Sequence, residues 1–264
     1  MNVKKFATAS NLKYLAAFCM FLDHIHEMFA TAGAPSWLTM LGRIVFPIFL
    51  FLAADSFYYT SNRKAYMKRL YLAYAGMVLL TALLTSIFPT DRMMLANNAF
   101  GTFFMTGLYI YSYDLMRAAF QKGQAKLFFK GLGLAVLPLL TFGLFFLYQP
   151  VYQFLPYWLA RPVAILLGLI PSLFTVEGGY IMVGLGLFFY IFRKHRWLQL
   201  AGLVALSVYI YLLDPISLQW MMVFAALPMA LYNGQKGSGS KSFFYIFYPS
   251  HLAFLYILSV LLLG

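Results

Sequence analysis

The sequence predicts an all-helical, polytopic membrane protein with about nine transmembrane helices. Of the 264 residues, 63% are hydrophobic and only 10% are charged, whereas an average soluble domain carries roughly 25% charged residues. Apolar stretches of about 20 residues, the length that a helix needs to cross a hydrocarbon core, recur with short polar gaps between them. A soluble fold of this size cannot cover so much apolar surface, so we expect the bilayer to be the solvent of this chain.

The predicted spans follow one another with short connections. They lie near residues 12–30, 37–59, 66–88, 97–117, 127–148, 178–192, 197–213, 216–232 and 243–263. The stretch 150–175 is rich in proline and aromatic residues, as interfacial segments are, and Pro171 breaks its apolar part. We predict a re-entrant or interfacial segment at 150–175, with a tenth crossing as the alternative. The simplest organisation is one membrane-embedded domain covering residues 1–264.

The basic residues are distributed unevenly between the two ends of these spans. The net charge is +12, and the positive residues form clusters between apolar spans, as the positive-inside rule describes for cytoplasmic loops. If 150–175 does not cross, 16 of the 19 Lys and Arg residues lie on the N-terminal side, Arg92 and Arg161 lie on the far side, and Arg43 lies within a span. We therefore predict a cytoplasmic N-terminus and a C-terminus on the outside. The N-terminal segment is predicted to stay in the protein as the start of the first helix and not to be removed as a signal peptide. Since the basic clusters are explained by topology, no nucleic-acid partner is predicted.

The chain lacks several sequence motifs that mark the catalytic sites of well-known enzyme classes. The sequence contains no nucleotide P-loop, no metalloprotease helix and no Gly-x-Ser-x-Gly elbow. Cys19 is the single cysteine, so disulfides within the chain and thiol-rich zinc sites are excluded. ATP hydrolysis, zinc proteolysis and α/β-hydrolase chemistry are not expected, and no metal is predicted.

Charged and titratable residues inside the predicted spans are the main functional signal, because such groups are costly in hydrocarbon. Asp23 and His24 occupy the outer half of the first span, Arg43 lies about six residues inside the second, and His251 lies near the middle of the last. His24 and Arg43 are each about six residues from the short loop that joins their spans, so we expect them at similar depth. Asp23 has two predicted roles, orienting a group on another helix or pairing with Arg43. The alternative is that these side chains only hold helices together by hydrogen bonds.

Lys13 and His24 are placed to hold the two ends of a long anionic molecule. Their separation of 11 residues puts both on nearly the same face of one helix, roughly 16 Å apart. The charged end of a ligand would rest at the cytoplasmic lysine, and its reactive end would reach the buried histidine. A neutral imidazole can take a proton from an attacking amine or hydroxyl, so we predict His24 as a general base.

The loop after the second predicted span is a candidate phosphate site. It carries Asn62 and the basic residues Arg63, Lys64 and Arg69, and it faces the same side as Lys13. Taken alone, the loop reads as a topology signal. Together with Lys13 and Lys241 it also suits the recognition of phosphates and nucleotides.

Four short motifs stand out along the chain: Asp-His at 23–24, Gly-Arg at 42–43 followed by Phe-Pro-Ile-Phe, Tyr-Asn-Gly at 232–234, and Phe-Tyr-Pro-x-His ending at His251. Together they resemble the TraX family, whose founding activity is N-acetylation of pilin, and the wider transmembrane acyltransferase group. Lys13 and His24 are similar to the arrangement of a basic residue, ten others and a histidine in related acyltransferases, with Lys in place of the usual Arg.

The resemblance implies a function and an environment. It implies an acyl-CoA donor, normally acetyl-CoA, that binds from the cytoplasm of a bacterium and delivers its acyl group within or across the inner membrane. The acceptor is left open between a pilin-like peptide, a cell-envelope glycan, a lipid-linked sugar and a small amine. In this hypothesis His24 is the catalytic base, Asp23 and Arg43 orient it or stabilise charge, and His251 is a second polar wall. The predicted cofactor-binding residues are Lys13, Asn62, Arg63, Lys64, Arg69, Asn233 and Lys241.

The sequence departs from the family pattern at its predicted outer face. His26 and Glu27 stand where the family usually has Gly after Asp-His-Ile, and Glu177 with Tyr180 stands in place of Asp-Tyr-Gly. The segment 150–175 resembles an insertion. A transporter or flippase that uses the same buried charges is the alternative function, and a structural membrane subunit is a third.

The predicted topology can be tested at the Gly-rich loop 233–241. With Cys19→Ala as background, a Ser238→Cys protein should react with a membrane-impermeant maleimide only after the cytoplasmic face is opened, because the charge distribution places this loop inside. Labelling of position 238 on intact cells, from the outside, would contradict the topology.

Overall fold

A computed structural model of the chain describes residues 7–239 and 241–264, apart from the side chains of Tyr157 and Lys241. Across this part of the chain the backbone forms helices and turns and no strand, so the predicted all-helical fold is confirmed. The α-helices are α1 (Ala9–Phe29), α2 (Trp37–Gly42), α3 (Val45–Tyr59), α4 (Arg63–Ile87), α5 (Ala99–Lys122), α6 (Ala125–Tyr152), α7 (Tyr157–Gly168), α8 (Gly179–Ile191), α9 (Arg196–Leu213), α10 (Ala226–Leu231) and α11 (Lys241–Leu263).

The described helices are those of a polytopic membrane protein. Five segments are long and apolar enough to cross a bilayer: Trp37–Tyr59, Arg63–Ile87, Ala125–Tyr152, Arg196–Leu213 and Ser242–Leu263. Helices α1 and α5, with 21 and 24 residues, also reach the roughly 20 residues that a crossing requires.

Two of the predicted spans form shorter helices. Helix α8 has 13 residues, and the predicted span 216–232 is a 3-10 helix, Leu218–Ala225, followed directly by α10. A 3-10 helix rises about 2.0 Å per residue, so this composite reaches about 25 Å, which is close to the thickness of the hydrocarbon core. Helical structure at both places is confirmed, and their crossing of the membrane stays a prediction.

The segment 150–175 contains a short helix between turns. Helix α7 has 12 residues, about 18 Å, which is too short to cross a bilayer alone. The hydroxyl of Tyr148 on α6 donates to the carbonyl of Ala160 at 2.6 Å, and Arg161 donates to the carbonyl of Ala82 on α4 at 2.9 Å. These bonds hold α7 to α6 and α4; the re-entrant or interfacial placement and the alternative of a tenth crossing both stay predictions.

The described residues divide into two compact units. The first comprises the chain up to Ser56, Leu84–Leu95 and Phe188–Gly264, and the second comprises Phe57–Leu83 and Ala96–Leu187. The single domain inferred from the sequence stays a prediction. In the first unit the fully buried residues include Ile48, Leu50, Phe189, Leu203, Met222, Ala225 and Met229. The core of the second unit is formed by Met105, Leu173, Val176 and Val183.

The second predicted span is interrupted beside its charged residue. The predicted span 37–59 is confirmed as a candidate crossing, but it consists of two helices, because α2 ends at Gly42 and α3 begins at Val45. Pro47 explains the break, because proline has no N–H to donate to the carbonyl of Arg43 and its ring clashes with that carbonyl in a helix. The interruption places Arg43 at a helix end.

The Gly-rich loop 233–239 lies against the start of α1. The backbone N–H groups of Ala9 and Ser10 donate to the carbonyls of Gln235 and Lys236 at 2.8 and 3.0 Å, and the Ser10 hydroxyl donates to the same Lys236 carbonyl at 2.8 Å. The first N–H groups of a helix lack partners within it. Although the composition of the loop is typical of a flexible linker, its carbonyls satisfy these groups.

Helices α1 and α2 approach each other closely at Gly42. A β-carbon at this position would lie 2.2 Å from Cγ of Asp23 and 2.4 Å from its Cβ. Atoms so close to the backbone of α1 cannot move aside as the end of a flexible side chain would. The glycine of the Gly-Arg motif is therefore required by the contact between the two helices.

We expect Gly42→Ala to destabilise the first unit by about 1–3 kcal/mol, the usual cost of overpacking. Thermal unfolding of the purified protein in detergent measures the loss. Gly133→Ala is the matched control, since Gly133 lies within α6 and a β-carbon there meets nothing within 4 Å. If both variants melt at the wild-type temperature, the proposed close contact at Gly42 is wrong.

Candidate active site in the first unit

An ion pair joins the C-terminal half of α1 to the end of α2. Nη2 of Arg43 lies 3.0 and 2.9 Å from the two carboxylate oxygens of Asp23. The side chains of Arg43 and Asp23 are only 27% and 17% exposed. The sequence left two roles open for Asp23, orienting a group on another helix or pairing with Arg43. In the structure Asp23 pairs with Arg43.

Two further side chains complete the surroundings of this pair. Thr39, one turn before Arg43, donates its hydroxyl to Asp23 and accepts from Nη2 of Arg43 at 2.9 Å. Nε of Arg43 donates to the Thr39 carbonyl at 3.1 Å, and Nη1 donates to Oε1 of Gln219 at 3.1 Å. Each guanidinium nitrogen of Arg43 therefore has at least one acceptor within the protein.

Sequence reasoning missed both of these residues. Thr39 stands four residues before Arg43, a spacing that puts two side chains on one helix face, so the signal was present. Gln219 is an uncharged residue 176 positions away in the chain, and no pattern connects it with Arg43.

The two buried histidines of the first unit are in direct contact. Nδ1 of His24 lies 2.7 Å from Nε2 of His251, and the ring centroids are 4.9 Å apart with an interplanar angle of 22°. His24 is 4% exposed and His251 is 6% exposed. The first and last described helices thus bring together the two predicted residues that stand 227 positions apart.

Each histidine has a second polar neighbour. Nδ1 of His251 lies 2.6 Å from the carbonyl oxygen of Phe247, one turn earlier on α11, and the ring stacks on that of Phe247. Nε2 of His24 lies 3.8 Å from the carboxylate of Glu27. His26, the other departure from the family pattern in α1, contacts the Ala34 carbonyl at 3.0 Å through Nδ1 and so holds the loop after the helix.

An open apolar groove lies between α1 and α11, on the side where Phe21 and Phe247 contact His251. Its volume is about 260 Å³, and it is lined by Tyr14, Ala17, Phe18, Phe21, Phe243 and Phe247. Tyr14 follows Lys13 along α1, whereas Phe21 and Phe247 both contact the ring of His251. The groove therefore borders the part of α1 between Lys13 and His24, although neither of these two residues lines it.

The predicted cofactor-binding residues fall in both units. In the first unit, Nζ of Lys13 lies 5.9 Å from the ring centroid of Phe244, and the side-chain oxygen of Asn233 accepts from the N–H of Gln235 at 2.9 Å, forming a turn. The side chain of Lys241 lies outside the described residues. Lys13 and His24 lie on one helix, as predicted.

In the second unit, two of the four predicted residues already have structural roles. The side-chain oxygen of Asn62 accepts from the N–H of Ala65 at 2.9 Å, capping the start of α4. Arg63 pairs with Asp114 at 2.6 Å and lies over the ring of Phe57. Lys64 and Arg69 are exposed, which leaves their charges accessible to a ligand.

A second polar cluster in the first unit surrounds Asp55, an acidic residue near the C-terminal end of α3. The hydroxyl of Tyr232 donates to Asp55 at 3.2 Å. The guanidinium of Arg196 lies 4.6 Å from the ring centroid of Phe51 and 5.2 Å from that of Tyr232, and it donates to the carbonyl of Met229. This cluster gives the tyrosine of the Tyr-Asn-Gly motif a structural role that the sequence did not reveal.

Glu177, which stands in place of the aspartate of the family pattern Asp-Tyr-Gly, lies in the second unit. Oε2 of Glu177 accepts from the N–H of Asn98 at 2.8 Å, and its carbonyl accepts from the hydroxyl of Thr102 at 2.5 Å. Tyr180 is 57% exposed. Glu177 therefore fixes the start of α5.

Among the described residues, no group of three His, Cys, Asp or Glu side chains is placed to hold a metal ion.

Comparison with known proteins agrees with the motifs in both halves of the chain. The family model described as TraX protein matches residues 8–121 and 126–259, which include the ion pair, the histidine pair and the Tyr-Asn-Gly segment. No curated protein and no solved structure matched the chain. Because the match covers nearly the whole sequence, the chain belongs to the TraX protein family.

Proposed function

We propose that this protein is a membrane-embedded acyltransferase that moves an acyl group, normally acetyl, from cytoplasmic acyl-CoA to an amine or hydroxyl acceptor in or across the membrane. The family is associated with acetylation of F-pilin. The observation that carries the proposal is the buried His24, paired with a second histidine on a helix whose other end bears a lysine. In this proposal the protein lies in the inner membrane of a bacterium with its N-terminus in the cytoplasm.

The donor end of the proposed path is cationic. Lys13 at the start of α1 in the first unit and, separately, the basic residues that begin α4 in the second unit are the proposed partners of the CoA phosphates, since lysine and arginine are the usual partners of phosphate groups. In this proposal the acyl-CoA would lie along the part of α1 between Lys13 and His24, which the open apolar groove between α1 and α11 borders. Asn233 and Lys241 belong to the same proposed donor region.

The reaction needs one base that later returns its proton. The nitrogen or oxygen of the acceptor attacks the thioester carbonyl while His24 removes the proton from the attacking atom. The carbon–sulfur bond then breaks, and the CoA thiolate takes the proton from the imidazolium of His24. The products are the acylated acceptor and CoA with a free thiol, and His24 is neutral again. The ion pair of Asp23 and Arg43 fixes the part of α1 from which His24 projects.

The acceptor is the open part of the proposal. A pilin-like peptide, a cell-envelope glycan, a lipid-linked sugar and a small amine all offer a nucleophilic nitrogen or oxygen. Radiolabelled acetyl-CoA, incubated with the purified protein and a cell-envelope extract, identifies the acceptor by the fraction that becomes labelled.

We expect His24→Ala to lower acyl transfer by about 10²–10⁴-fold, the usual contribution of a general base, while acetyl-CoA still binds. Label transfer and equilibrium binding are measured on the same purified sample. His26→Ala is the matched control, because His26 lies two residues away on α1 and contacts a loop carbonyl instead of the histidine pair. A correctly folded His24→Ala protein that transfers acetyl at the wild-type rate rules out His24 as the base.

A further inference from the structure

We propose that His251 is a positioning residue that fixes the tautomer of His24, so that Nε2 of His24 is the atom that exchanges protons with the substrates. This inference rests on the proposed acyl transfer for its catalytic meaning. The tautomer itself is a property of the resting protein and can be measured without any activity.

The argument begins at the backbone of α11. Nδ1 of His251 lies 2.6 Å from the carbonyl oxygen of Phe247. A carbonyl oxygen can only accept a hydrogen bond, so Nδ1 of His251 must carry the hydrogen. In a neutral imidazole only one nitrogen is protonated, and Nε2 of His251 is therefore an acceptor.

The same reasoning assigns the protonated nitrogen of His24. Nδ1 of His24 lies 2.7 Å from Nε2 of His251, and because that atom is an acceptor, Nδ1 of His24 must be the donor. The opposite direction would require His251 to carry both protons and a positive charge. Such a charge at a residue that is 6% exposed is costly without a negatively charged partner. Neutral His24 then has its lone pair on Nε2.

The usual partner for such a histidine is engaged elsewhere. Asp23 is the adjacent residue in the sequence, but both of its oxygens lie within 3.0 Å of Nη2 of Arg43. Residues next to each other on a helix also face different directions. The carbonyl of Phe247 and the ring of His251 together take the place that a carboxylate occupies in a catalytic triad.

The assignment gives Glu27 a role in the proton transfer. Nε2 of His24 lies 3.8 Å from the carboxylate of Glu27, whose side chain is 38% exposed. When Nε2 takes the proton of the attacking nitrogen or oxygen, the imidazolium forms beside this negative charge and is stabilised by it. The carbon–sulfur bond of the thioester breaks, and the thiolate then removes the same proton from Nε2. Glu27 stays ionised throughout.

Nitrogen-15 NMR of labelled histidines in the full chain, purified in detergent micelles, tests the tautomers directly. The chain has four histidines, so His26→Gln and His195→Gln together leave two signals to assign. We expect both His24 and His251 to be protonated at Nδ1 and unprotonated at Nε2. A His24 that carries its proton on Nε2 overturns the proposal, whether or not the protein transfers acetyl groups.

Two substitutions at position 251 separate positioning from packing. His251→Phe keeps a flat ring without an acceptor, whereas His251→Gln offers an amide oxygen near the place of Nε2. We expect His24 to lose its fixed tautomer in the Phe variant and kcat to fall at least tenfold, with acetyl-CoA affinity unchanged, and we expect the Gln variant to retain most of kcat. If His24 keeps the Nδ1-protonated tautomer in a folded Phe variant, His251 does not fix it and the inference fails.

The activity of the wild-type protein tests the proposed acyl transfer, whereas the NMR measurement tests the tautomers of the histidine pair. If the wild-type protein transfers no acetyl group but its histidines show the expected tautomers, the geometry of the pair is supported and the proposed function is wrong. If transfer occurs and the tautomers are reversed, the function is supported and the positioning role of His251 is wrong.

Discussion

The ion pair between Asp23 and Arg43 is the interaction on which the first unit depends. A charged side chain among apolar helices has no water to solvate it, so its partners must be supplied by the protein. Here Thr39 and Gln219 satisfy the remaining groups, and the pair thereby connects α1, the end of α2 and the 3-10 helix Leu218–Ala225. Asp23 pairs with Arg43 across these elements, and the adjacent His24 takes its partner from α11.

The main features of the fold could be predicted from the sequence because the bilayer restricts a chain to helices. The length of the apolar stretches was enough to place most helices within a few residues of their observed bounds. The break between α2 and α3 was not predicted, although Pro47 marks it. The 3-10 conformation of Leu218–Ala225 has no such marker, because the sequence there is as apolar as that of an α-helix.

The candidate site could be predicted as a set of residues but not as a set of contacts. Asp23, His24, Arg43 and His251 were identifiable because charge and imidazole are rare inside spans. Which of them would pair depends on how the helices pack, and that is decided by small features such as the missing side chain of Gly42 beside Asp23. Uncharged partners such as Gln219 give no signal, since amides are common throughout helical proteins.

Direct binding of acetyl-CoA tests the central claim, which is that this membrane protein is an acyl-CoA-dependent enzyme. Calorimetry compares the wild type with Lys64→Gln/Arg69→Gln, which leaves the ion pair of Arg63 and Asp114 intact. Lys122→Gln/Lys126→Gln is the matched control, with two other exposed basic residues on the same predicted side.

We predict that the wild type binds acetyl-CoA less tightly as salt screens the phosphate contacts. The first double variant should bind about tenfold or more weakly, as expected for the loss of hydrogen bonds to charged groups, and the control should bind as the wild type does. Failure of the wild type to bind acetyl-CoA would contradict the account and favour a transporter that uses the same buried charges.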